Sequence, residues 1–491
     1  MKKIYCCSPY AEFKLFGLKS ILFFVLNNPR LKSGVHASII NSGFSHALRK
    51  VSYYLSAVIL LTGSLICQNG KALTPSKITY LNISSVPSAF PVNFALFTKG
   101  ENQFVAFYDS NHEMTIASRK LADTLWSYKK LNSRIEWDSH NYLSLMIDNE
   151  NLIHLVGNMH SSPLIYFRSE LPLDINSMKE INHMTGAEED VTTYPEFIYG
   201  PNKEIIFHYR YGRSGSGYEV FNTWNSENKS WTRLLGKPLT DGQEKMNAYM
   251  QGPLLGKDNY YHIIWVWRDT PDCATNHTLS YARSKDLLHW ESIRGEKVEL
   301  PITVNQKELY VDETQIYGGL INIGIKIGFD SQNRVLIGYH KYDSAGNTQL
   351  YFARFESGIW VKKQITNWNY RWDFKGFGTI VNELLIDSPK PSKEKEKVLF
   401  GYHHIKYGDG EMIVDEKTLD TVGNREIEKD YPKIIDEFES KNPGMVINKV
   451  FDSGYAGDGR TYLLRWETKA PNRDQKPTEN STNAVLKLVS Y

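Results

Sequence analysis

The chain has 491 residues, 41% of them hydrophobic, and its 57 basic and 55 acidic side chains leave a net charge of +2. This length and apolar content support a packed core of one large domain or two to three average ones. The near-balance of charge, with no basic run interleaved with aromatics, excludes the usual footprint of a nucleic-acid partner.

Aromatics reach 13%, with 30 Tyr and 11 Trp, a composition suited to short strands and to surfaces that stack on sugar rings. The four cysteines are Cys6, Cys7, Cys67 and Cys273. Three of them fall in the leader region, so the mature chain holds one thiol. This excludes a disulfide framework and a zinc site built on several thiolates.

In chain order, Arg49 and Lys50 precede the apolar stretch "VSYYLSAVILLTGSLIC" (Val51 to Cys67), after which "QNGKALTP" turns polar. That is the layout of a secretory signal peptide, and the apolar core is slightly short for a membrane span. Ile66 occupies the place where a lipoprotein signal carries a small residue before its cysteine. The reading is a leader over 1–74 and a single domain over 75–491, secreted or periplasmic, with no stable membrane insertion after cleavage.

Beyond the leader one plan recurs. "KGENQFVAFYDSNHEMTIASRK" (from Lys99), "DNENLIHLVGNMHSSPLIYFRSEL" (from Asp148), "GPNKEIIFHYRYGRSGSGYEVFNTWN" (from Gly200), "GKDNYYHIIWVWRDTPDCATNHTLSYARSKDLLHW" (from Gly256) and "DSQNRVLIGYHKYDSAGNTQLYFARFESGIW" (from Asp330) each show a polar turn, an apolar strand, a loop and a second strand. Fainter copies start at Lys393 and Met445. Short antiparallel strands at this period predict an all-β chain, a β-propeller of seven blades. "YARSKDLLHW" (Tyr281 to Trp290) looks like a degenerate Asp-box, the strand-turn signature of sialidase-like propellers. "KITYLNIS" after the leader is expected to close the ring with "NAVLKLVSY" at the end, protecting exposed edges. The segment Glu426 to Ser440 alone shows helical periodicity. "DSPKPSKEKEK" and "APNRDQKPTENSTN" read as solvated loops.

Aligning the copies places His160, Arg210, Arg268, Lys341 and His403 or His404 at the end of the same strand, where successive blades converge around one face of the axis. His140, next to Asn141, lies at the other end of the hairpin from His160, so the two imidazoles can meet if it pairs in register. Tyr194 precedes Pro195, which favours an extended backbone there, and Arg210 follows across a hairpin, where it can grip a carboxylate through two parallel hydrogen bonds. Tyr249 and the run with Trp265, Trp267, Arg268, Asn276 and His277 suit an anionic sugar, although a Trp pair alternating across a strand is usually half core, and His154 and His262 read as core. Cys273 and His277 are at most half a metal site with no further ligands to find, so no metal is assigned and a structural ion is not identifiable.

These residues, in "HNYLSLMID…HLVGNMH", "TYPEF…FHYRYGRSGSG" and "WVWRDTPDCATNHTLSYARS", resemble the BNR-repeat propeller family that contains the ulvan lyases of polysaccharide lyase families 24 and 25. The resemblance runs from about Ala89 to Trp372. It implies a catalytic set of His140, His160, Tyr194 and Arg210, with Tyr249 a looser match. Asn141, Arg268 and His277 are the further candidates for substrate contact. The stretch from His160 to Tyr194 is shorter than in the family pattern, and the same scaffold serves α-L-rhamnosidases acting on rhamnose linked to a uronate.

The implied activity is β-elimination on a uronic acid of ulvan, a sulfated polymer of rhamnose and uronic acid. A cation neutralises the carboxylate, a base removes the C5 proton and an acid protonates O4 of the leaving sugar. Arg210 suits the first role, His140 or Tyr194 the base with the other as acid, and His160 positions the carboxylate or the base. No cofactor is required, the partner is an anionic polysaccharide and the chain is expected to act as a monomer. A rhamnose-releasing hydrolase and a non-catalytic sugar-binding propeller are the competing expectations.

Overall fold

Alternating apolar and polar residues between Gly, Asn and Asp turns favour strands with one or both faces covered, and the repeated units fold in that way. The structure is a computed structural model that describes residues 77–477 and 483–491. The expected leader over 1–74 lies outside the described residues. Within them, seven sheets follow one another along the chain, antiparallel except where Tyr455–Ala456 pairs in parallel with Ala95–Gly100.

The blade that places the two histidines runs Leu143–Ile147, Ile153–Gly157, Tyr166–Ser169 and Met178–Glu180. The next runs Thr192–Tyr199, Ile205–Arg213, Ser216–Asn225 and Ser230–Arg233, and the fourth runs Asn247–Leu255, Tyr261–Arg268, Asn276–Ser284 and Trp290–Glu291. The first strands of neighbouring blades touch one another: Ala95–Gly100 meets Leu143–Ile147, which meets Thr192–Tyr199. These strands therefore line the axis of a propeller. Second strands are sandwiched on both faces, as in Tyr261–Arg268 where every residue is buried, whereas outermost strands such as Ser127–Arg134 expose alternate side chains. Indoles fill the seam between the third and fourth blades, with Trp265, Trp267 and Trp290 packed against Phe221 and Leu239. The tryptophans considered for sugar contact, Trp265 and Trp267, are thus core. His154 and His262 are buried as expected.

Both faint copies are real blades. The last consists of Met445–Phe451, Tyr462–Lys469, Asn483–Ser490 and, as its outermost strand, Thr79–Pro87 from the start of the described chain. The register runs from Thr79 opposite Ser490 to Pro87 opposite Asn483, with a bulge between Asn82 and Ser84. This is the expected ring closure, sealed by buried Leu486, Leu488 and Val489.

The helical periodicity of Glu426 to Ser440 does not become a helix. That segment holds a single 3-10 turn, Lys433–Asp436, begun at Pro432. Arg465 takes the Ile435 carbonyl at 2.9 Å and the Glu437 carbonyl, while Glu467 accepts from the amides of Glu439 at 2.7 Å and Ser440 at 2.9 Å. The backbone groups a helix would pair internally are claimed by a neighbouring strand. Among the described residues no helix is long and apolar enough to cross a membrane.

If the paired termini hold the ring together, Leu488→Ala removes buried apolar volume at the closure and lowers stability by about 2–5 kcal/mol. Urea denaturation is expected to show a lower midpoint with one cooperative transition. An unchanged midpoint would contradict this role for the seam.

Candidate active site

The second-blade hairpin pairs Leu143 with Gly157 through to Ile147 with Ile153. The pairing ends at Gly157, and His160 reaches the neighbourhood of His140 from a strand paired with the third blade. The imidazoles of His140 and His160 stack with centroids 4.2 Å apart and planes 27° from parallel. Gly157 makes the tight approach possible, because a Cβ there would meet Leu143 Cδ2 at 2.4 Å and the Tyr142 carbonyl at 2.7 Å.

His160 does not continue its own blade. It opens the short strand His160–Ser162, which pairs with the third blade so that Thr193 faces His160 on one side and Arg210 on the other. The shared-strand-end rule therefore fails for His160, although the clustering it predicted is present.

Asp138, absent from the sequence-derived set, organises the pair. Its Oδ1 accepts from Nδ1 of His140 at 2.8 Å and from the His140 amide at 2.9 Å, and its Oδ2 accepts from Nδ1 of His160. A second carboxylate arrives from the last blade: Asp474 Oδ2 lies 3.3 Å from Nδ1 of His140. Asp474 also accepts from the Ser139 hydroxyl at 2.8 Å and the Thr379 amide at 2.8 Å.

Burial works to lower the pKa of His140, but the hydrogen bonds and charges of Asp138 and Asp474 outweigh it and raise it to about 9. Burial would raise Asp474, yet its bonds from His140, Ser139 and Thr379 bring it down to about 2. Asp138 is held far below the usual carboxylate range by the two imidazoles, against the effect of burial.

The opposite wall is aromatic and cationic. Tyr194 lies in a bulge between Thr193 and Glu196 with φ of 58°, not in the extended conformation expected before a proline. The left-handed backbone costs on the order of 1–3 kcal/mol and lifts the phenol out of the ladder. Burial pushes Tyr194 up to about 12. Its ring stands 6.0 Å from His140 and 6.2 Å from Tyr249.

Arg210 is only 2% exposed. Its guanidinium lies over the Tyr194 ring at 4.9 Å and donates to Thr193 Oγ1 at 3.0 Å and to the Tyr249 hydroxyl at 3.4 Å. It stands behind the two phenols rather than on the cleft surface. Arg268, also largely buried, is the one that lines the cleft, stacked 3.8 Å over Tyr249 and donating to Asn322 Oδ1 at 2.6 Å and Asn276 Oδ1 at 3.3 Å. Among the described residues neither arginine has a carboxylate partner within 4.0 Å. Burial would raise the Tyr249 phenol, but the charges of Arg268 and Arg210 and a 2.6 Å hydrogen bond to Ser214 hold it below its ordinary value.

These walls enclose a cleft of about 420 Å³ that includes Asp138, His140, His160, Tyr194, Tyr249 and Arg268. Other candidates are elsewhere. His277 is tied to Asp269 at 2.9 Å, Asn141 is engaged through its carbonyl by the Tyr108 hydroxyl at 2.6 Å, and Lys341 pairs with Asp312 at 2.6 Å. His403 faces Asp409 at 3.2 Å, and His404 is buried against Trp368. Asp138 could have been suspected from its place two residues before His140. Asp474 and Asn322 carried no sequence signal, being brought in by the ring.

Asp138, His140 and His160 also bring three potential metal-ligand atoms within 4.8 Å of one another. Two ligands of one tetrahedral ion would stand ~3.4 Å apart. The 2.8 Å separation of Asp138 from His140 is that of a hydrogen bond.

The fold and site together define a seven-bladed β-propeller whose connecting loops converge on this cleft. The chain belongs to the BNR repeat-containing family, whose profile matches residues 102–368. No curated protein matches the sequence significantly. Among solved structures, the polysaccharide lyase Uly1 is similar with a TM-score of 0.54 at 14% identity, covering 86% of this chain and 94% of its own. An ulvan lyase of family PL25 gives a TM-score of 0.52 at 14% identity over 79% of this chain and 96% of its own. The same kind of lyase bound to -[GlcA(1-4)Rha3S]- gives 0.52 at 13% identity over the same shares, 79% and 96%. At these identities the likeness establishes the fold.

Removing one of the two carboxylates at His140 tests the electrostatics directly. Because its folded pKa of about 9 exceeds the free value of 6.5, the proton on His140 stabilises the native state fully below pH 6.5 and this contribution is lost as pH rises through 9. In Asp474→Asn the His140 titration midpoint, followed by NMR, is expected to fall towards 6.5. An unmoved midpoint would contradict the account.

Proposed function

We propose that this protein is an exported lyase that cleaves ulvan by β-elimination at its uronic acid. The observation that carries the reading is the pair of guanidiniums, Arg210 and Arg268, bracketing Tyr249 at the cleft with no acidic partner among the described residues. A buried cation without a counter-charge is costly, and an anionic ring entering the cleft supplies one. The relatives add support, since Uly1 is named a polysaccharide lyase and a PL25 ulvan lyase holds a glucuronate–rhamnose sulfate unit. The apolar stretch Val51 to Cys67 supports export to the periplasm or beyond.

The protonation pattern distributes the roles. Arg268, on the cleft surface, takes the uronate carboxylate, and Arg210 behind it adds positive potential, so the negative charge that develops after C5 loses its proton is stabilised. Tyr249 is the base: its phenol oxygen is the one loosened by two cations and Ser214. His140 and Tyr194, raised to about 9 and about 12, carry their protons at neutral pH. His140 on the opposite wall is therefore the acid. As Tyr249 takes the C5 proton, the released electron pair forms the C4–C5 double bond, the C4–O4 bond breaks, and His140 protonates O4. His160 and Asp138 fix the orientation of that imidazolium.

A hydrolase would need a carboxylic acid to protonate the leaving oxygen. The two cleft carboxylates are instead held ionised by His140 and His160.

With ulvan, the purified protein is expected to generate the ultraviolet absorbance of an unsaturated uronate, and Arg268→Ala should lose about 10²-fold or more in kcat/KM while keeping its circular dichroism. Activity should fall on the alkaline side as His140 loses its proton near pH 9. Free rhamnose without the absorbance would refute elimination.

A further inference from the structure

Resting on the reading above, we propose that Phe377 is the platform of a sugar subsite that takes the 6-deoxyhexose ring next to the uronate. Phe377 is 76% exposed, yet it lines the same cleft as His140, Tyr249 and Arg268. A lone exposed aromatic is unremarkable; this one is held out by a loop that is fastened on both sides.

Gly376 and Gly378, with φ of 87° and 75°, flank it. These are left-handed conformations open to glycine. A Cβ on Gly378 would also meet the Arg473 carbonyl at 2.7 Å. From the last blade, the Arg473 guanidinium donates to the carbonyls of Phe377 at 3.2 Å and Lys375 at 3.3 Å, and the Arg473 amide donates to the Thr379 carbonyl at 3.0 Å. Asp474 accepts from the Thr379 amide at 2.8 Å. From the fourth blade, Asp272 accepts from the Gly376 amide at 2.6 Å, and the Cys273 amide donates to the Gly376 carbonyl at 2.8 Å. The loop thus presents an apolar ring whose exposure its own packing does not relieve.

The chemistry of this part of the cleft selects the occupant. Ile321, Ile323, Ile380 and Pro271 join Phe377 in the cleft lining, and the ionic groups bonded to this loop, Arg473 and Asp474, are engaged by its backbone at Lys375, Phe377 and Thr379. A ring seated here offers its C–H face to the phenyl group and a methyl to the isoleucines. A hydroxymethyl or carboxylate in place of that methyl would lose its hydrogen bonds to water without replacement. A polymer alternating uronate and 6-deoxyhexose matches both halves of the cleft at once.

Saturation-transfer NMR with methyl α-L-rhamnopyranoside tests the subsite without requiring turnover. The wild-type protein is expected to saturate the C6 methyl signal, Phe377→Ala to lose most of that transfer, and Phe377→Tyr to keep it. On ulvan, Phe377→Ala should raise KM about fivefold, more than it lowers kcat. Equal transfer to the wild type and Phe377→Ala, or no transfer to the wild type, would overturn the subsite. Failure of the elimination reading shows separately, as absence of the unsaturated product.

Discussion

One carboxylate shared between two imidazoles is the contact on which the site depends. Asp138 bonds His140 with one oxygen and His160 with the other, and so couples the start of the second blade to the strand that crosses into the third. The shared anion favours a proton on His140, whose ring is stacked 4.2 Å from that of His160. Asp474 adds a second anion from the far end of the chain, which explains why an imidazole buried in this way holds its proton. Ring closure is thereby part of the chemistry: the strand pairing that completes the last blade also anchors the blade that delivers Asp474.

The opposite wall has the reverse imbalance. Arg210 and Arg268 are pressed against phenol rings and amide oxygens instead of carboxylates. Positive potential concentrated at Tyr249 loosens its proton, whereas Tyr194, on the neighbouring blade, is governed by burial. Two phenols of the same type thus have proton affinities displaced in opposite directions, the separation that divides acid from base in a proton-transfer site.

Repetition made the fold legible: the polar turn, apolar strand and second strand recur often enough that even the blades from Lys393 and Met445 could be read, and the terminal pairing of Thr79–Pro87 with Asn483–Ser490 followed from the need to close the ring. His140 and His160 meet as expected, but the expected hairpin register stops short of them, and His160 arrives on the strand paired with the third blade. Depth was not readable. Arg210 and Arg268 occupy similar strand positions and both are buried against phenol rings, but only Arg268 reaches the cleft wall. Contacts across the ring, such as Asp474 with His140 and Asn322 with Arg268, depend on the blade arrangement and have no local signature. The periodicity at Glu426 to Ser440 misled because Arg465 and Glu467, from another strand, capture its backbone groups.

The central claim is that Arg268, backed by Arg210 and without a carboxylate partner among the described residues, recognises a uronate carboxylate. Calorimetric titration of the protein with a uronate–rhamnose oligosaccharide and with its carboxyl-reduced counterpart tests this most directly. The account predicts that reduction weakens binding at least about tenfold, the scale of one charge-assisted hydrogen bond lost, and that Arg268→Ala no longer distinguishes the two ligands. Equal affinity of the wild-type protein for both would contradict it.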